Sequence, residues 1–260
     1  MAYSSIVKPS VYFNTKLYTG TGSELAITGV GFQPDWTWIK GRNVAYDNNV
    51  FDAVRGSTKR IMTNNTNAES TQAQMCKSFD SDGFTLGTDG GVNENNTRNY
   101  AAWNWKANGA GSANTAGSIN STVSVNTTAG FSIVSYTGTG SNATIGHGLG
   151  VVPNMIMVKS RSAGDGWRIY HHKVSSDPET DYLVLNNNNA VADSQGYWND
   201  TAPTSSVFSL GTAGEINGSG NGHIAYCFAE KQGYSKFGSY KGNGNADGSF
   251  IYTGFKPSWI

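Results

Sequence analysis

The sequence has few charged residues, and their charges cancel. Lys and Arg together number 18, Asp and Glu together number 18, and charged residues make up 14% of the chain. A protein that binds nucleic acid needs a basic face to neutralise phosphates, so this composition argues against nucleic acid as a partner. The sequence also lacks the run of about 20 apolar residues that a membrane-spanning helix requires. Membrane insertion is therefore not expected either.

Signals for export and for disulfide formation are missing as well. Residues 1–10, MAYSSIVKPS, lack the basic start and the apolar stretch of a secretory signal peptide. The two cysteines, Cys76 and Cys227, lie in unlike surroundings that do not correspond to each other. We expect two free thiols in a protein that is made in a reducing cytoplasm.

Motifs of the common enzyme classes are also lacking. There is no HExxH, no Ser–His–acid set stands out, and the YTGTG segments lack the lysine of a phosphate-binding loop. The adjacent His171 and His172 would face opposite sides of a strand and could not chelate one metal ion without help. Asp80 and Asp82 in DSDGF are typical of a turn, and the later ligands of a calcium loop are missing. We predict a non-enzymatic protein without a cofactor, with structural calcium in another geometry as an open alternative.

What the sequence does contain is an internal repeat. The pentapeptide YTGTG occurs at 18–22 and again at 136–140, and a third start, YKGNG, follows at 240–244. The flanks repeat with it. The matched positions and segments are Pro34 with Pro153, Lys40 with Lys159, Arg42 with Arg161, RIMTNNTNA (60–68) with YLVLNNNNA (182–190), FTLGT (84–88) with FSLGT (208–212), and AWNW (102–105) with AYCF (225–228). This self-similarity indicates tandem copies of one unit, and we expect the chain to be part of a longer protein.

Each copy has the pattern of β structure. DWTWIKG (35–41) and GFSIVSYTG (130–138) alternate over short runs bounded by Gly, Pro and Asn. In the first run, Trp36 and Trp38 fall on one face and Ile39 on the other, so we expect an interior strand that is covered on both sides. The pattern predicts an all-β fold of tandem antiparallel β-sandwich units, of jelly-roll or lectin-like type, with the C-terminus inside a third repeat.

Composition sets the expected boundaries of the units. Residues 107–122, ANGAGSANTAGSINST, are small and polar apart from Ile119, so burial cannot offset the entropy of ordering them. We therefore predict a first β-sandwich repeat over 1–106, a Gly/Ala/Ser/Asn-rich linker over 107–129, a second β-sandwich repeat over 130–238 and the start of a third repeat over 239–260. A loosely packed surface excursion is the alternative to a linker at 107–122.

Several long blocks of the sequence resemble a known group of phage proteins. The blocks are DAVRGSTKR, NAEST, SFDSDGFTLGTDGGVN and YAAWNWKANG in the first unit, and AYCFAEKQGYSKFGSYKGNG with GFKPSW further on. They are similar to the tandem repeat domains of tail-fibre and other virion structural proteins of marine bacteriophages. The resemblance implies a virion component, made in the host cytoplasm, whose partners are other virion proteins. It implies no catalytic residues, because that group has no established catalytic motif.

Three functions remain open at this point. The first is a surface module, in a tail fibre or similar appendage, that recognises or adheres to a host envelope polysaccharide. The second is a purely structural virion or decoration protein. The third, which we rank last, is a polysaccharide depolymerase, since that chemistry needs two carboxylates across the scissile bond and no acidic residue is clearly matched in both units. A homo-oligomer fits the first two functions, although no coiled-coil or collagen-like repeat specifies one.

Four residues are candidates for ligand contact. Tyr197 and Trp198 in SQGYWNDTAP lie among turn-forming residues, which predicts exposed loop aromatics that stack on a sugar; packing over the sandwich is the alternative. Arg55 and Arg60 in AVRGSTKR fit an anionic polysaccharide, with a solvated face as the alternative. Aromatic residues in alternating strands are assigned to the core instead: Trp36, Trp38, Trp103 and Trp105.

Overall fold

The computed structural model describes residues 4, 6–95 and 97–260, and within them most of the regular secondary structure is β-strand. After a 3-10 turn at Pro9–Val11, the first half contains β1 (Phe13–Thr19), β2 (Leu25–Ile27), β3 (Trp36–Gly41), β4 (Asn49–Asp52), β5 (Gly56–Met62), β6 (Ser70–Thr71), β7 (Cys76–Asp80), β8 (Gly83–Leu86), the one-turn helix α1 (Gly90–Asn93) and β9 (Asn99–Trp105).

The second half repeats this succession with some changes. It contains β10 (Ser112–Asn114), β11 (Ser121–Asn126), β12 (Phe131–Thr137), β13 (Ala143–Gly146), β14 (Met155–Ser160), β15 (Arg168–His171), β16 (Asp181–Val184), β17 (Ala192–Asp193), the one-turn helix α2 (Gln195–Trp198), β18 (Val207–Leu210), the one-turn helix α3 (Gly214–Asn217) and β19 (Gly222–Phe228). The prediction of an all-β, antiparallel protein is confirmed. None of the helices in the described residues has the length and apolar character needed to cross a membrane.

The two largest sheets have matching strand orders. The six-stranded sheet runs β1-β9-β3-β4-β5-β6, and the eight-stranded sheet runs β10-β11-β12-β19-β14-β15-β16-β17. After the first two strands of the larger sheet, the orders correspond strand for strand. Pro34 and Pro153 each lie two residues before the equivalent strands β3 and β14.

The recurrence of YTGTG has a structural reason in both halves. The backbone N–H of Thr21 donates to Oδ1 of Asn93 at 2.8 Å, and that of Thr139 donates to Oδ1 of Asn217 at the same distance. Both asparagines are fully buried at the ends of α1 and α3. The motif is therefore a turn that a buried asparagine holds against the following one-turn helix.

A hydrophobic core joins the two large sheets face to face. One cluster of buried side chains takes Trp36 and Ile61 from the first sheet and Phe131 and Tyr226 from the second. The rings of Trp36 and Tyr226 stack with their centroids 4.7 Å apart. Burial of large rings is the dominant favourable term in such packing, so the two halves are held together as one body.

The outer face of each large sheet has a separate core. The sheet β2-β8-β7 covers the first, and the pair β13-β18 with α2 covers the second. The residues that form these outer cores include Ile39, Phe51, Tyr100, Phe84 and Leu86 on the first side, and Ile156, Val158, Tyr170, Phe208 and Leu210 on the second. Strands β3 and β14 are thus covered on both faces, as their alternation predicts.

Residues 107–129, where a linker is predicted, are ordered as two strands. β10 and β11 extend the second sheet beyond β12, with Ser121 paired to Tyr136 and Val123 to Val134. Val123 is buried in the outer core, and the Ser124 hydroxyl accepts the backbone N–H of Asn108 at 2.8 Å. Backbone hydrogen bonds on both edges of β11 offset the conformational entropy that is lost when this segment becomes ordered. Burial of its small side chains alone could not offset that loss.

The segment 239–260 contains no strand or helix. Its side chains are largely exposed, Tyr240 at 71% and Phe250 at 89%. The ring of Trp259 lies 5.7 Å from that of Trp105 and 6.2 Å from that of Trp38. The predicted start of a third repeat therefore lies against the first sheet without joining it.

Candidate functional site

Tyr197 and Trp198 lie inside the second outer core and not on an exposed loop. They form the end of α2 and are 7% and 2% exposed. Trp198 Nε1 donates to the carbonyl of Asp181 at 3.0 Å, and the Tyr197 hydroxyl donates to Glu215 at 3.1 Å. The turn-forming residues around them close a one-turn helix whose aromatic pair packs inward. The packing alternative from the sequence is therefore the one that the geometry favours.

Arg55 is buried where the two large sheets meet. Its guanidinium pairs with Asp52, and Nη1 lies 3.1 Å from Glu69. Burial alone would lower the pKa of Arg55, but the negative charges of Asp52 and Glu69 raise it above its ordinary value. Tyr226 of the second sheet donates to the same Asp52 carboxylate at 2.6 Å. The guanidinium is fully used in this contact and does not face solvent.

Arg60 also has protein partners. Nε donates to Oδ1 of Asn49 at 2.6 Å, and Nη2 lies 3.1 Å from the carboxylate of Asp47. Its side chain is 16% exposed. The hypothesis that Arg55 and Arg60 meet an anionic polysaccharide is therefore not favoured by their positions, since each cation is already paired.

The carboxylates of the DSDGF turn hold backbone and side-chain groups. Asp82 accepts the N–H of Gly29 at 2.9 Å and of Gly31 at 2.6 Å, and these hydrogen bonds lower its pKa. Asp80 accepts from the hydroxyls of Ser78 and Thr85. In the described part of the chain, no group of three or more His, Cys, Asp and Glu side chains is arranged to hold a metal ion.

A groove lies between two loops that the sequence repeat already matched. It has a volume of about 290 Å³, near the lower end of small-molecule sites, which run from about 300 to 1,000 Å³. We call it the asparagine groove. Its lining residues are Trp38, Asn48, Thr63 and Asn64 from the first half and Leu185, Asn186 and Asn187 from the second.

The same turn builds both walls of the asparagine groove. In the first wall, Oδ1 of Asn64 accepts the N–H of Asn48 at 2.9 Å. In the second wall, Oδ1 of Asn186 accepts the N–H of Trp167 at 2.8 Å. The N–H groups of Asn67 and Asn189, one in each wall, donate to the asparagine side chain two positions earlier, both at 3.0 Å. The repeated NNxNA segments therefore fold alike and face each other across the junction.

Several amide groups of the groove have no protein partner. Among the described residues, the side chain of Asn48 and the Nδ2 atoms of Asn186 and Asn187 make no hydrogen bond to protein, and these residues are half-buried or exposed. An amide side chain has both donor and acceptor capacity. The groove thus offers several unused, uncharged hydrogen-bonding positions close together.

An aromatic side chain and a buried hydroxyl complete the groove. Trp38 is half-buried, in contrast to the fully buried Trp36 two residues earlier on the same face of β3. Within the described chain, Trp38 Nε1 and Thr63 Oγ1 are buried without a hydrogen-bond partner. Buried polar groups are normally paired, and these two atoms of the groove lining are among six buried side-chain atoms without a partner in the described chain.

A second, larger cleft of about 990 Å³ lies under the C-terminal segment. Its inner wall includes Phe13, Trp105 and Phe228, and its outer wall is formed by parts of the irregular segment 233–260. Binding sites depend on groups held in fixed positions by a rigid scaffold. The asparagine groove meets that condition better, because both of its walls are hydrogen-bonded turns at strand ends.

One protein-family model matches almost the whole chain. The family described as Domain of unknown function (DUF7483) matches residues 8–260. The chain belongs to the DUF7483 family. The DUF7483 match covers both matching sheets and both walls of the asparagine groove. Neither a curated protein nor a solved structure matches this DUF7483 chain.

Sequence reasoning missed the groove although its signal was present. The segments RIMTNNTNA and YLVLNNNNA are recognisable as a matched pair, and Trp38 is assigned from its alternation to the core. That assignment holds for Trp36 but only in part for Trp38. What the sequence could not supply is that the two copies pack against each other, because alternation within one copy does not say which sheet faces which.

Proposed function

We propose that this DUF7483 protein is a non-enzymatic surface module of a bacteriophage virion, in a tail fibre or similar appendage, that binds a glycan of the host envelope. The asparagine groove would hold the sugar. The proposal joins the sequence resemblance to phage virion repeats with the chemistry of this groove, and it places the protein on the particle with other virion proteins as partners.

The single observation that carries the proposal is the combination of Trp38 with unused asparagine amides in one groove. A sugar ring offers a flat apolar face and a rim of hydroxyls. The indole ring suits the face, and amide groups suit the rim because they donate and accept hydrogen bonds. Small-molecule sites combine apolar or aromatic walls with a few polar groups in the same way.

The chemistry of the groove supports binding without cleavage. Glycoside hydrolysis commonly uses two carboxylates about 5–10 Å apart across the bond. The residues that line the groove include no Asp or Glu. The carboxylate nearest in sequence, Asp47, already accepts from Asn64 at 2.9 Å and pairs with Arg60. A depolymerase at this groove is therefore the least favoured of the three functions.

We further propose that the two halves are tandem copies of one antiparallel β-sandwich module of the jelly-roll or lectin-like class. The matching strand orders and the matched Asn93 and Asn217 turns support this view. Virion appendages commonly use repeated modules, because several weak sites acting together raise the apparent affinity. A homo-oligomer would add to the same effect.

A purely structural role is the second candidate, and one observation favours it. Charged and aromatic groups, including Arg55, Asp52 and Tyr226, fix the two large sheets to each other at a buried junction. A part that only spaces or decorates an appendage needs such rigidity and no ligand. It would show no retention on host glycans.

Retention of the purified chain on immobilised envelope polysaccharide from Gram-negative marine bacteria tests the proposal. We expect wild-type protein to be retained, and the Trp38→Ala variant to lose retention while keeping its far-UV circular dichroism spectrum. The Trp259→Ala variant is the matched control, because Trp259 lies beside Trp38 but lines only the larger cleft.

Each result decides between the candidates. Loss of retention in Trp259→Ala alone would move the site to the larger cleft. No retention of the folded wild-type protein on any envelope polysaccharide would leave the structural role. Release of reducing ends from the polysaccharide would contradict the non-enzymatic assignment.

A further inference from the structure

We infer that the asparagine groove accepts uncharged sugar units and rejects units that carry carboxylate or sulfate groups. The inference rests on the proposed function and narrows its ligand class. It comes from the charges around the groove and not from the resemblance to phage proteins, which gives no ligand.

The lining of the groove carries no formal charge. Its polar side-chain groups are the amides of four asparagines, the hydroxyl of Thr63 and the indole N–H of Trp38. The unused amide positions on Asn48, Asn186 and Asn187 match hydroxyl or acetamido groups, which donate and accept as amides do. On binding, a neutral sugar could therefore exchange each hydrogen bond to water for one to an asparagine amide.

The cations that surround the groove are already neutralised. Arg60 pairs with Asp47 at 3.1 Å, and Arg168, which lies next to Asn186, pairs with Glu215 at 2.8 Å. Arg168 and Asn186 both lie close to Gly166. A Cβ atom placed on this glycine would lie 2.7 Å from Nη1 of Arg168 and 2.9 Å from Oδ1 of Asn186.

Lys159 is the third cation close to the groove loops, and it is turned away. Its side chain is fully buried, and Nζ donates to the carbonyls of Ser160, Ala163 and Thr66. Burial lowers its pKa to about 8, against the opposing charge of Asp165. The ammonium group of Lys159 therefore holds the backbone at Thr66, Ser160 and Ala163, and it is buried where a ligand in the groove could not pair with it.

An anionic sugar would meet an unfavourable site. Its carboxylate or sulfate would lose water without gaining a free cation, and burying an unpaired charge is costly. The carboxylate of Asp47, 41% exposed beside Asn48 and Asn64, would repel it further. The same geometry thus favours neutral ligands and disfavours charged ones.

Titration calorimetry of the full chain with two sets of oligosaccharides tests the inference. One set contains unsubstituted hexoses and N-acetylhexosamines, and the other contains uronic or sulfated units at the same chain length. We expect binding of the neutral set alone, with little change on raising the salt concentration, because screening affects only charged partners. The Asn187→Asp variant should weaken this binding about tenfold, since it replaces a free donor with a charge.

Asn187→Asp keeps the Oδ1 atom that accepts from Asn189, so the turn is retained. Asn188→Asp is the control, because it adds the same charge one position away at an exposed residue outside the lining. Preferential binding of acidic sugars would overturn the inference and leave the proposed function in place. Neutral binding that Asn187→Asp leaves unchanged would overturn the groove as its site. No binding of either set would overturn the proposed function itself.

Discussion

At the scale of single residues, the charged side chain of Glu69 connects the two halves of this protein. Glu69 of the first half receives two hydrogen bonds from Arg161 of the second, at 2.9 and 3.0 Å, and one from Arg55. Burial would raise the pKa of Glu69, but these two cations lower it below its ordinary value. The ion pair of Glu69 with Arg161 thus joins the two halves, whereas the pairs of Arg60, Lys77, Arg98 and Arg168 each lie within one half.

Breaking the buried pair should be costly. Arg55→Met leaves the fully buried Asp52 without its cation, and removal of one partner of such a pair typically costs about 3–5 kcal/mol. Urea unfolding followed by circular dichroism measures the change in the free energy of unfolding. The control is Lys77→Met, which removes an exposed partner of Glu24 and should have little effect.

A double variant separates loss of the pair from loss of packing. Asp52→Leu combined with Arg55→Met removes both charges, so we expect part of the lost stability to return. Equal stability of Arg55→Met and Lys77→Met would show that the buried pair does not hold the junction.

At the scale of secondary-structure elements, alternation in the sequence predicted the central strands well. β3 and β14 have the expected two covered faces, because each alternates large side chains that fill cores on both sides. β10 and β11 were not predicted, because the signal for a strand in single-sequence reasoning is its apolar side chains. Their stabilisation comes from backbone pairing with β12, which composition does not reveal.

Hydrogen exchange distinguishes a linker from these strands. The amides of β11 should exchange about as slowly as those of β12, since β11 has a paired strand on each side. The amides of β10, which forms the edge of the sheet, should exchange faster. Mass spectrometry of peptides spanning 107–129 measures both rates. Immediate exchange throughout this range would support the linker and contradict the pairing.

At the scale of the whole molecule, two matching sheets share one central core. The core includes Trp36 and Trp105 from the first sheet and Phe131, Tyr226 and Phe228 from the second. Separation of the halves would expose this apolar surface to water, which is unfavourable in proportion to its area. The molecule should therefore behave as one cooperative unit.

We expect a single unfolding transition in urea. Tryptophan fluorescence and far-UV circular dichroism should give the same midpoint, which is the ordinary test of two-state unfolding. Arg55→Met should move both midpoints together, because it weakens the shared junction. Two separated transitions, or midpoints that differ between the probes, would mean that the halves unfold independently.

The sequence predicted the all-β class of the fold, but not how the two halves with matching strand orders pack against each other. Matched segments such as the two NNxNA turns are visible in one dimension. That these two turns line one groove depends on how the two large sheets pack. This packing is determined by the shapes of many side chains together. Arg55 and Tyr197 show the same limit, since each looked available for ligands until its neighbours were known.

The meeting of two equivalent turns, one from each half, affects how many such grooves a longer chain could form. A cavity whose opposite sides come from successive duplicates does not exist in either duplicate alone. Lengthening such a polypeptide by one half would add only one side of such a cavity, whereas adding two halves that pack as these two do would add a complete cavity. The number of such cavities in an array of this kind would therefore increase by one for every two halves added.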